Sequence, residues 1–515
     1  MGCSSGSGAG ETDSPGARPS SAADGLLRPG AAALSGAARA GVVLCFVIGL
    51  AFFVSQLAEI PYRSALRGYD NTFNYLWLRS AIEDGDWDFR NDLAACNTLV
   101  PEQRAAALGL PPTKSDRIPN KYGVGWAVLT LPSYLAAESI VGVGRWTGWW
   151  SLSGDGFGPV HQIAVQVGHA LLAVLALLLA VKVISSWLND RAAALLGLLT
   201  VWLASPLLYY QSVNLSMSHG AAFFAIALLA YALERATAGS SVDRPTVNRG
   251  WWLLAGAAFG LAVTTRFQLV VFGVVVAWTV RRAARCRAGS PDPAAPRAAT
   301  DSGDLTLEIG SAAGAAASGD PALRLRAVSS LAMLVLGAAP FVLLQLWAWR
   351  VVYGEWFVFS YGAEGEAFHW ARPELLNSWF SSWHGLFYWH PFLLVAFTGM
   401  LGWIWQQRGA ALGWGAAWCA TAFINAAWWC WWFASAFGNR GYDAALLPMM
   451  AGAGWLFRRA GARSRRALLV IAAAAAGWNV YLALLYRSGA IARHAPVTWL
   501  EMLAAAKQLP DALRF

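Results

Sequence analysis

The sequence predicts an all-α protein that crosses a membrane many times, with about eleven transmembrane helices and further interfacial helices. Composition indicates this class, because 57% of the 515 residues are apolar and only 13% are charged, whereas a soluble domain has about 25% charged residues. The apolar runs also approach the ~20 residues that cross ~30 Å of hydrocarbon. These runs lack the alternating period of barrel strands, so we expect them to be helices.

The apolar runs and the polar stretches divide the chain into seven regions. Segments 1–38 and 283–326, rich in small residues and in Gly or Pro, are expected to be disordered. A first transmembrane helix is expected at 39–58 and a large polar loop at 59–159. Two groups of transmembrane helices follow at 160–282 and 327–486, and the second group is interrupted by a smaller loop at 351–385. The last region is a C-terminal tail at 487–515.

Short loops rich in basic residues set the expected orientation, because such loops stay in the cytoplasm. All of these loops lie on one side if the Gly-rich apolar segment 123–144, interrupted by Pro132, does not cross the membrane. We therefore expect this segment to be an interfacial or re-entrant helix. Eleven spans then give a cytoplasmic N-terminus, and the loops at 59–159 and 351–385 share the outer face with the C-terminal tail.

Charge and cysteine content argue against several classes of protein. The net charge of +9 comes from basic residues between apolar runs, so nucleic-acid binding is not predicted. The six cysteines include no C-x-x-C pair, and we expect no structural disulfide. Three His and three Glu occur between 364 and 390, but without the H-x-x-x-H spacing of a helical zinc site, so no metal ligands are assigned.

One carboxylate stands out in the polar loop after the first apolar run. Asp70 begins the sequence DNTFNYLWLR, whose aromatic residues would hold an amphipathic helix in the membrane interface. The carboxylate would then lie at head-group depth. A functional group and an ordinary helix N-cap are both consistent with this position.

Three basic residues would lie at a similar depth. Lys121 precedes segment 123–144, where a lysine that snorkels to the interface is the ordinary explanation. Arg266 lies between two short apolar runs, and because an unpaired cation in hydrocarbon costs about 2.5–3.5 kcal/mol or more, we expect it to face the interior of the bundle. Arg440 has an equivalent place, where an ion pair with Asp443 is the simplest explanation.

The loop at 351–385 and the helix start after it are dense in aromatic, His and Glu residues. Such a mixture suits a carbohydrate pocket, in which flat rings stack on sugars and polar groups bind hydroxyls, although a membrane-interface belt has a similar composition. The candidates for a pocket are Tyr361, Glu364, His369, Trp370, His384 and, from the start of another helix, His219.

The order of these features resembles the GT-C superfamily of membrane glycosyltransferases. An outer-loop Asp70 followed by EDGDWDF, then Lys121 before a G-x-G-W segment, then SSWHGLFYWHP and FGNRGYD, is similar in layout to the protein O-mannosyltransferases and the lipid A aminoarabinose transferases, from about 40 to 500. The resemblance implies a polyprenyl-phosphate sugar donor and an acceptor hydroxyl on a glycan, lipid or protein. It implies an active site on the periplasmic or extracellular face of a bacterial cytoplasmic membrane.

The resemblance also implies roles for individual residues. Asp70 matches the outer-loop acid that acts as general base, Lys121 matches a basic residue that contacts the donor phosphate, and Arg266 and Arg440 are further phosphate partners. A phosphodiester leaving group needs cations more than an acid, and a single base predicts inversion. GYDN stands where many relatives have an acidic pair, so no cofactor is assigned and a divalent cation is left open.

Two other classes share many of these features, namely a transporter or lipid flippase and a non-catalytic subunit of a glycan-assembly complex. Transporters usually place charged groups at the membrane midplane on broken helices and have repeated halves. Here the polar residues collect on one face and no repeat is visible in the sequence. The pattern therefore favours a glycosyltransferase.

Overall fold

The computed structural model describes residues 66, 68–148, 154–238, 248–285 and 321–512 of the chain. Within these ranges the predicted all-α class is confirmed, and strand-type pairing is limited to an isolated antiparallel bridge between Phe368 and Trp428. The segments predicted as a tail and a first helix, 1–38 and 39–58, and most of the predicted linker lie outside the described residues.

The described α-helices are numbered here in chain order, and shorter helical turns of 3-10 or π type lie between some of them. The helices are α1 Tyr69–Arg79, α2 Phe89–Ala95, α3 Pro101–Leu108, α4 Gly125–Thr147, α5 Pro159–Leu188, α6 Arg191–Leu203, α7 Pro206–Ser212, α8 Ser218–Thr237, α9 Arg249–Thr265, α10 Gly273–Arg285, α11 Pro321–Tyr353, α12 Leu375–Phe380, α13 Leu386–Trp389, α14 Phe392–Gln407, α15 Gly409–Ala427, α16 Leu446–Arg459, α17 Ala462–Ser488, α18 Trp499–Ala504 and α19 Leu509–Ala512.

Five described helices are long and apolar enough to cross a membrane, namely α4, α5, α8, α11 and α17, and the α6–α7 pair, bent by 82°, would make a sixth. Other predicted spans are helical but interrupted. Helix α9 ends at Thr265 and is followed by a 3-10 turn, and α16 begins only after the 3-10 turn Arg440–Ala445. Length and hydropathy therefore identify fewer spans than the eleven predicted, and the first predicted span, 39–58, lies outside the described residues.

Segment 123–144 forms helix α4, and Pro132 lies inside the helix without ending it. The start of α4 packs against the end of α9, where a Cβ on Gly125 would lie 2.4 Å from the backbone nitrogen of Thr265. Further along, α4 runs antiparallel to the beginning of α5, with Thr130 Oγ1 2.9 Å from His169 Nε2. The rest of α5 continues past the start of α4. Helix α4 and the beginning of α5 therefore form a hairpin beside α1.

The helix ends that carry basic residues lie together at the opposite end of the bundle. Arg458 of α16 donates to the carbonyl of Leu188 at 2.5 Å, and Trp187 donates to Glu234 near the end of α8 at 2.6 Å. Arg282 of α10 lies against the start of α15. The described parts of the five basic loops thus occupy one end of the molecule.

Glycine allows α9 and α11 to approach closely. A Cβ on Gly256 would lie only 2.0 Å from the carbonyl oxygen of Leu334, and a Cβ on Gly337 would lie 2.0 Å from that of Leu253. Such contacts between small residues are how helices associate where lipid supplies no hydrophobic driving force. This pair matters for the site, because Arg266 directly follows the last residue of α9.

We expect Gly256→Ala to lower the thermal unfolding midpoint of the purified protein, because the new methyl group must push α11 away. Overpacking of this kind costs about 1–3 kcal/mol. Gly250 is a matched control in the same helix, since a Cβ there meets nothing within 4 Å, and Gly250→Ala should leave the midpoint unchanged or raise it. Equal midpoints for the two variants would contradict the described packing.

Candidate active site

Asp70 lies in the first turn of α1 and accepts hydrogen bonds from two side chains. The N-cap of α1 is Gly68, with φ 95°, so Asp70 does not cap the helix. The hydroxyl of Tyr122 donates to Asp70 Oδ1 at 2.5 Å, and Arg440 Nη2 donates to Oδ2 at 2.8 Å. The ordinary structural explanation, a helix cap, therefore does not account for this carboxylate.

Neighbouring cations keep Asp70 ionised. Burial raises the pKa of Asp70, but the guanidinium of Arg440, the hydroxyl of Tyr122 and the more distant charges of Lys121 and Arg266 together bring the pKa below its ordinary value. The side chain is still 31% exposed. A carboxylate with a lowered pKa is a weak base, so proton acceptance would require Arg440 to move off it.

Lys121 lies inside the protein and not at its surface, as a snorkelling side chain would. Its ammonium is 2.7 Å from Glu366 Oε1, and the Lys121 side chain is only 11% exposed. The rings of Tyr69, Tyr122 and Tyr361 lie 5.5 to 5.9 Å from the ammonium. Such an aromatic surround stabilises a cation by cation–π attraction.

His219 hydrogen-bonds both Arg266 and the backbone of Arg440. Its Nε2 is 2.8 Å from Arg266 Nη1, and its Nδ1 is 2.8 Å from the carbonyl oxygen of Arg440. An arginine can only donate and a carbonyl can only accept, so Nε2 accepts and Nδ1–H donates. His219 is therefore neutral in a single tautomer. Its role here is to hold Arg266 and the backbone at Arg440 in place.

Arg440 pairs with Asp70 and not with Asp443, so the simple ion pair expected from the sequence is wrong. Asp443 is fully buried, and its carboxylate oxygens have no hydrogen-bond partner within the described part of the chain. The neutral imidazole of His219 lies near it, with Nδ1 3.6 Å from Asp443 Oδ2. The 3-10 turn Arg440–Ala445 directs the two side chains to different neighbours.

The carboxylate and the three cations line a single cavity of about 560 Å³. Asp70, Lys121, Arg266 and Arg440 form its polar end. Several apolar lining residues, including Val270 and Phe359, are themselves about half exposed on the outside of the molecule. The other lining residues are Tyr122, Val263, Phe267, Gln268, Trp349, Val358, Ser360, Tyr361, Glu366, Phe368, Trp370, Ile424, Asn425, Trp428, Trp429, Cys430, Phe433 and Ala434.

Only some of the residues predicted to form a sugar pocket line the cavity. Tyr361 and Trp370 line the cavity. His369 is exposed and contributes its backbone N–H to Ala427, and His384 is buried with Nδ1 2.9 Å from the carbonyl of Trp432. Neither histidine is among the lining residues. The side chain of Glu364 lies outside the described residues.

Burial lowers the pKa of His384 to about 4, although the carbonyl of Trp432 favours its protonated form. This histidine adopts φ 60°, a backbone conformation rare outside glycine. It is therefore a neutral group within the packing of its loop at neutral pH.

Two residues of the polar end were not among the sequence candidates. Tyr122, which donates to Asp70, follows Lys121 directly in the chain, and this adjacency could have indicated it. Glu366 contacts Lys121 across 245 positions, a pairing for which the sequence contains no local signal.

One group of acidic and His residues in the described part of the chain could hold a metal ion. The ligand atoms of Glu83, Glu138 and His161 lie within 4.8 Å of one another. Glu83 is 13 positions after Asp70 along nearly continuous helix, about 20 Å at 1.5 Å per residue. These residues do not line the cavity.

Comparison with solved structures finds similarity to a membrane protein of known structure. A crystal structure of ArnT from Cupriavidus metallidurans in the apo state aligns with 93% of this chain and 73% of its own, with a TM-score of 0.47 and 15% sequence identity. No family model matches the chain. No curated protein matches it.

We expect Arg440→Gln to lower the thermal midpoint at pH 7, since removing one partner of a buried ion pair costs about 3–5 kcal/mol. The folded-state pKa of Asp70 is lowered, so the pair contributes stability above the unfolded pKa of about 3.9, and this contribution disappears as the pH falls through the folded pKa. The difference between wild type and variant should therefore narrow only below about pH 4.

Arg90→Gln is the control, because Arg90 belongs to an exposed pair with Asp116 at 3.0 Å. Exposed pairs contribute about 0.2–1 kcal/mol, so this variant should differ little from wild type at any pH. A pH-independent loss in Arg440→Gln would contradict the assigned pair with Asp70.

Proposed function

We propose that this chain is a membrane glycosyltransferase of the GT-C type, which transfers a sugar from a polyprenyl-phosphate donor to an acceptor hydroxyl. The observation that carries this proposal is one cavity whose polar end contains Asp70 and three cations and whose apolar lining reaches the outside of the molecule. A lipid-linked sugar phosphate has the same division into a charged head and an apolar tail. The cavity is suited to hold both parts.

The charges at the polar end favour an anionic ligand. Lys121, Arg266 and Arg440 supply three positive charges, and Asp70 and Glu366 supply two negative charges. With His219 neutral, these groups sum to about +1, which one phosphodiester anion would neutralise. Arg266 is the strongest candidate for the phosphate, because the partners described for it are neutral groups of Ser218, His219 and Gln268.

Asp70 is the group we assign as the general base. In this structure Arg440 lowers the pKa of Asp70 and so makes Asp70 a weaker base. A phosphate that draws Arg440 toward itself would remove one donor from Asp70 and raise its pKa, so the base would become effective when the donor is bound. Proton removal from the acceptor hydroxyl, with attack opposite the phosphate, gives inversion at the sugar.

We infer that the cavity opens at the outer face of the membrane. The basic helix ends lie at the other end of the bundle, and basic loops remain in the cytoplasm. The acceptor, whether glycan, lipid or protein, would reach Asp70 from the outer side. No cofactor is required by this scheme, since the three cations stabilise the leaving phosphate directly.

Asp70→Asn is the variant that tests the base. The amide keeps the size of the side chain but cannot take up the proton, so sugar release from a polyprenyl-phosphate donor should fall by about 10²–10⁴-fold. Donor binding should persist. The measurement is turnover in proteoliposomes, with bound donor counted separately.

Asp86→Asn and Asp88→Asn are the matched controls in the same loop, because both side chains are at least partly exposed. The carboxylate of Asp86 accepts from Ser80 Oγ and from the backbone N–H of Asp88, and that of Asp88 accepts from the backbone N–H of Arg90. Both should keep near-normal turnover. Normal turnover in Asp70→Asn would remove the assignment of the base. Movement of intact donor across the membrane by wild type, without sugar release, would favour a flippase.

A further inference from the structure

A second polar cluster lies at the far end of α1, where this helix meets the hairpin of α4 and α5. We propose that Glu83, Glu138 and His161 bind one Zn²⁺ ion, which fastens the first loop to that hairpin. Their ligand atoms lie within 4.8 Å of one another. The site is separate from the proposed catalytic cavity and does not depend on the proposed reaction.

Each ligand is supplied by a different element. Glu83 belongs to a π-helical turn, Ser80–Asp84, that follows α1. Such turns are rare in proteins as a whole, and many of those that occur lie at functional sites. Glu138 lies within α4, and His161 lies in the first turn of α5. A single ion on these three groups would connect positions 55 and 78 residues apart in the chain.

The side chains around the cluster are held in place. The hydroxyl of Tyr134 donates to Glu83 Oε1 at 2.6 Å, which orients the carboxylate as outer-shell groups do in metal sites. The backbone closes over this side at Gly156, where φ is 76° and a Cβ would lie 2.5 Å from the hydroxyl of Tyr134. The protein therefore encloses the site on one side, while on the other side Glu138 remains 32% exposed.

The two glutamates of this cluster have no arginine or lysine in direct contact. Arg79 contacts both Asp84 and Asp92 and acts on Glu83 only through a longer-range charge interaction. Among the described residues, no lysine or arginine forms an ion pair with Glu83 or Glu138. Two carboxylates this close repel each other unless a proton or a cation lies between them, and a divalent ion would neutralise both.

His161 adds a nitrogen ligand to the two carboxylates. Its side chain is fully buried, and its Nε2 directly faces Glu138 Oε1. A metal ion bound between these groups would use Nε2, the ring nitrogen that faces the cluster, while Nδ1 keeps its proton. Nitrogen ligation favours Zn²⁺ over Ca²⁺ or Mg²⁺, which take oxygen ligands.

The ligand set fits the ion. Zn–N and Zn–O bonds of about 2.0–2.2 Å in a tetrahedral site separate the ligand atoms by roughly 3.3 Å, a value within the spread of this cluster. Binding would move His161 Nε2 and Glu138 Oε1 apart to that separation. Three protein ligands leave the fourth position to water, which the exposed side of Glu138 admits.

The test uses full-length protein without an affinity tag, purified in metal-free detergent buffer. Wild type should bind one Zn²⁺ per chain, as counted by mass spectrometry of the metal after gel filtration, and its thermal midpoint should rise with added Zn²⁺ until the site is filled. Ca²⁺ at the same concentration should not raise the midpoint. Failure to bind Zn²⁺, or equal stabilisation by Ca²⁺, would overturn the proposal without any variant.

His161→Gln and Glu138→Gln should lose the bound Zn²⁺ and the rise in midpoint. The matched controls are His169→Gln, which removes another buried histidine of α5 that bonds Thr130, and Glu102→Gln on the exposed face of α3; both should retain one Zn²⁺. Retention of Zn²⁺ by His161→Gln would contradict the site. A metal-free Glu138→Gln protein more stable than metal-free wild type, with no Zn²⁺ bound by either, would show a shared proton instead.

Discussion

The hydrogen-bonded ion pair between Arg440 and Asp70 is the interaction on which the cavity depends. It joins side chains 370 positions apart and holds the start of α1 against the turn that precedes α16. Removing two charges from water is unfavourable unless their remaining polar atoms are also paired. The hydroxyl of Tyr122 donates a second hydrogen bond to Asp70, and His219 hydrogen-bonds the backbone carbonyl of Arg440 and the side chain of Arg266. The surrounding hydrogen bonds satisfy both oxygens of the Asp70 carboxylate, whereas Arg440 Nε has no partner within the described residues.

The interrupted helices follow from the same constraint. Arg266 lies between α9 and a 3-10 turn, and Arg440 begins the 3-10 turn before α16. Irregular backbone within an apolar bundle is tolerated where it lines a cavity, and these two breaks deliver both guanidinium groups to one volume. The close contact of Gly256 with α11 fixes the end of α9. Helix packing and site geometry are therefore coupled in this protein.

The sequence predicted the helical class, and it singled out Arg266 and Arg440 because charges between apolar runs are conspicuous. Asp70 and Lys121 were singled out by their positions in the polar loop and by the resemblance to the GT-C superfamily. The sequence did not predict their partners. Asp443 is three positions from Arg440 and still faces elsewhere, while Glu366 reaches Lys121 from a distant loop. Composition suggested His369 and His384 as pocket residues, but it does not determine where a loop side chain points. Pro132 marked an interruption in the sequence, yet α4 continues through it.

The central claim is that the cavity binds the phosphate of a lipid-linked sugar. Native mass spectrometry of the purified protein with added polyprenyl phosphate measures this binding directly. Wild type should bind one lipid, Arg266→Ala should bind it about 10–150-fold more weakly, as the loss of 1.5–3 kcal/mol from one charged hydrogen bond implies, and Arg90→Ala should bind as wild type does. Equal binding of uncharged polyprenol, or unchanged affinity in Arg266→Ala, would contradict the account.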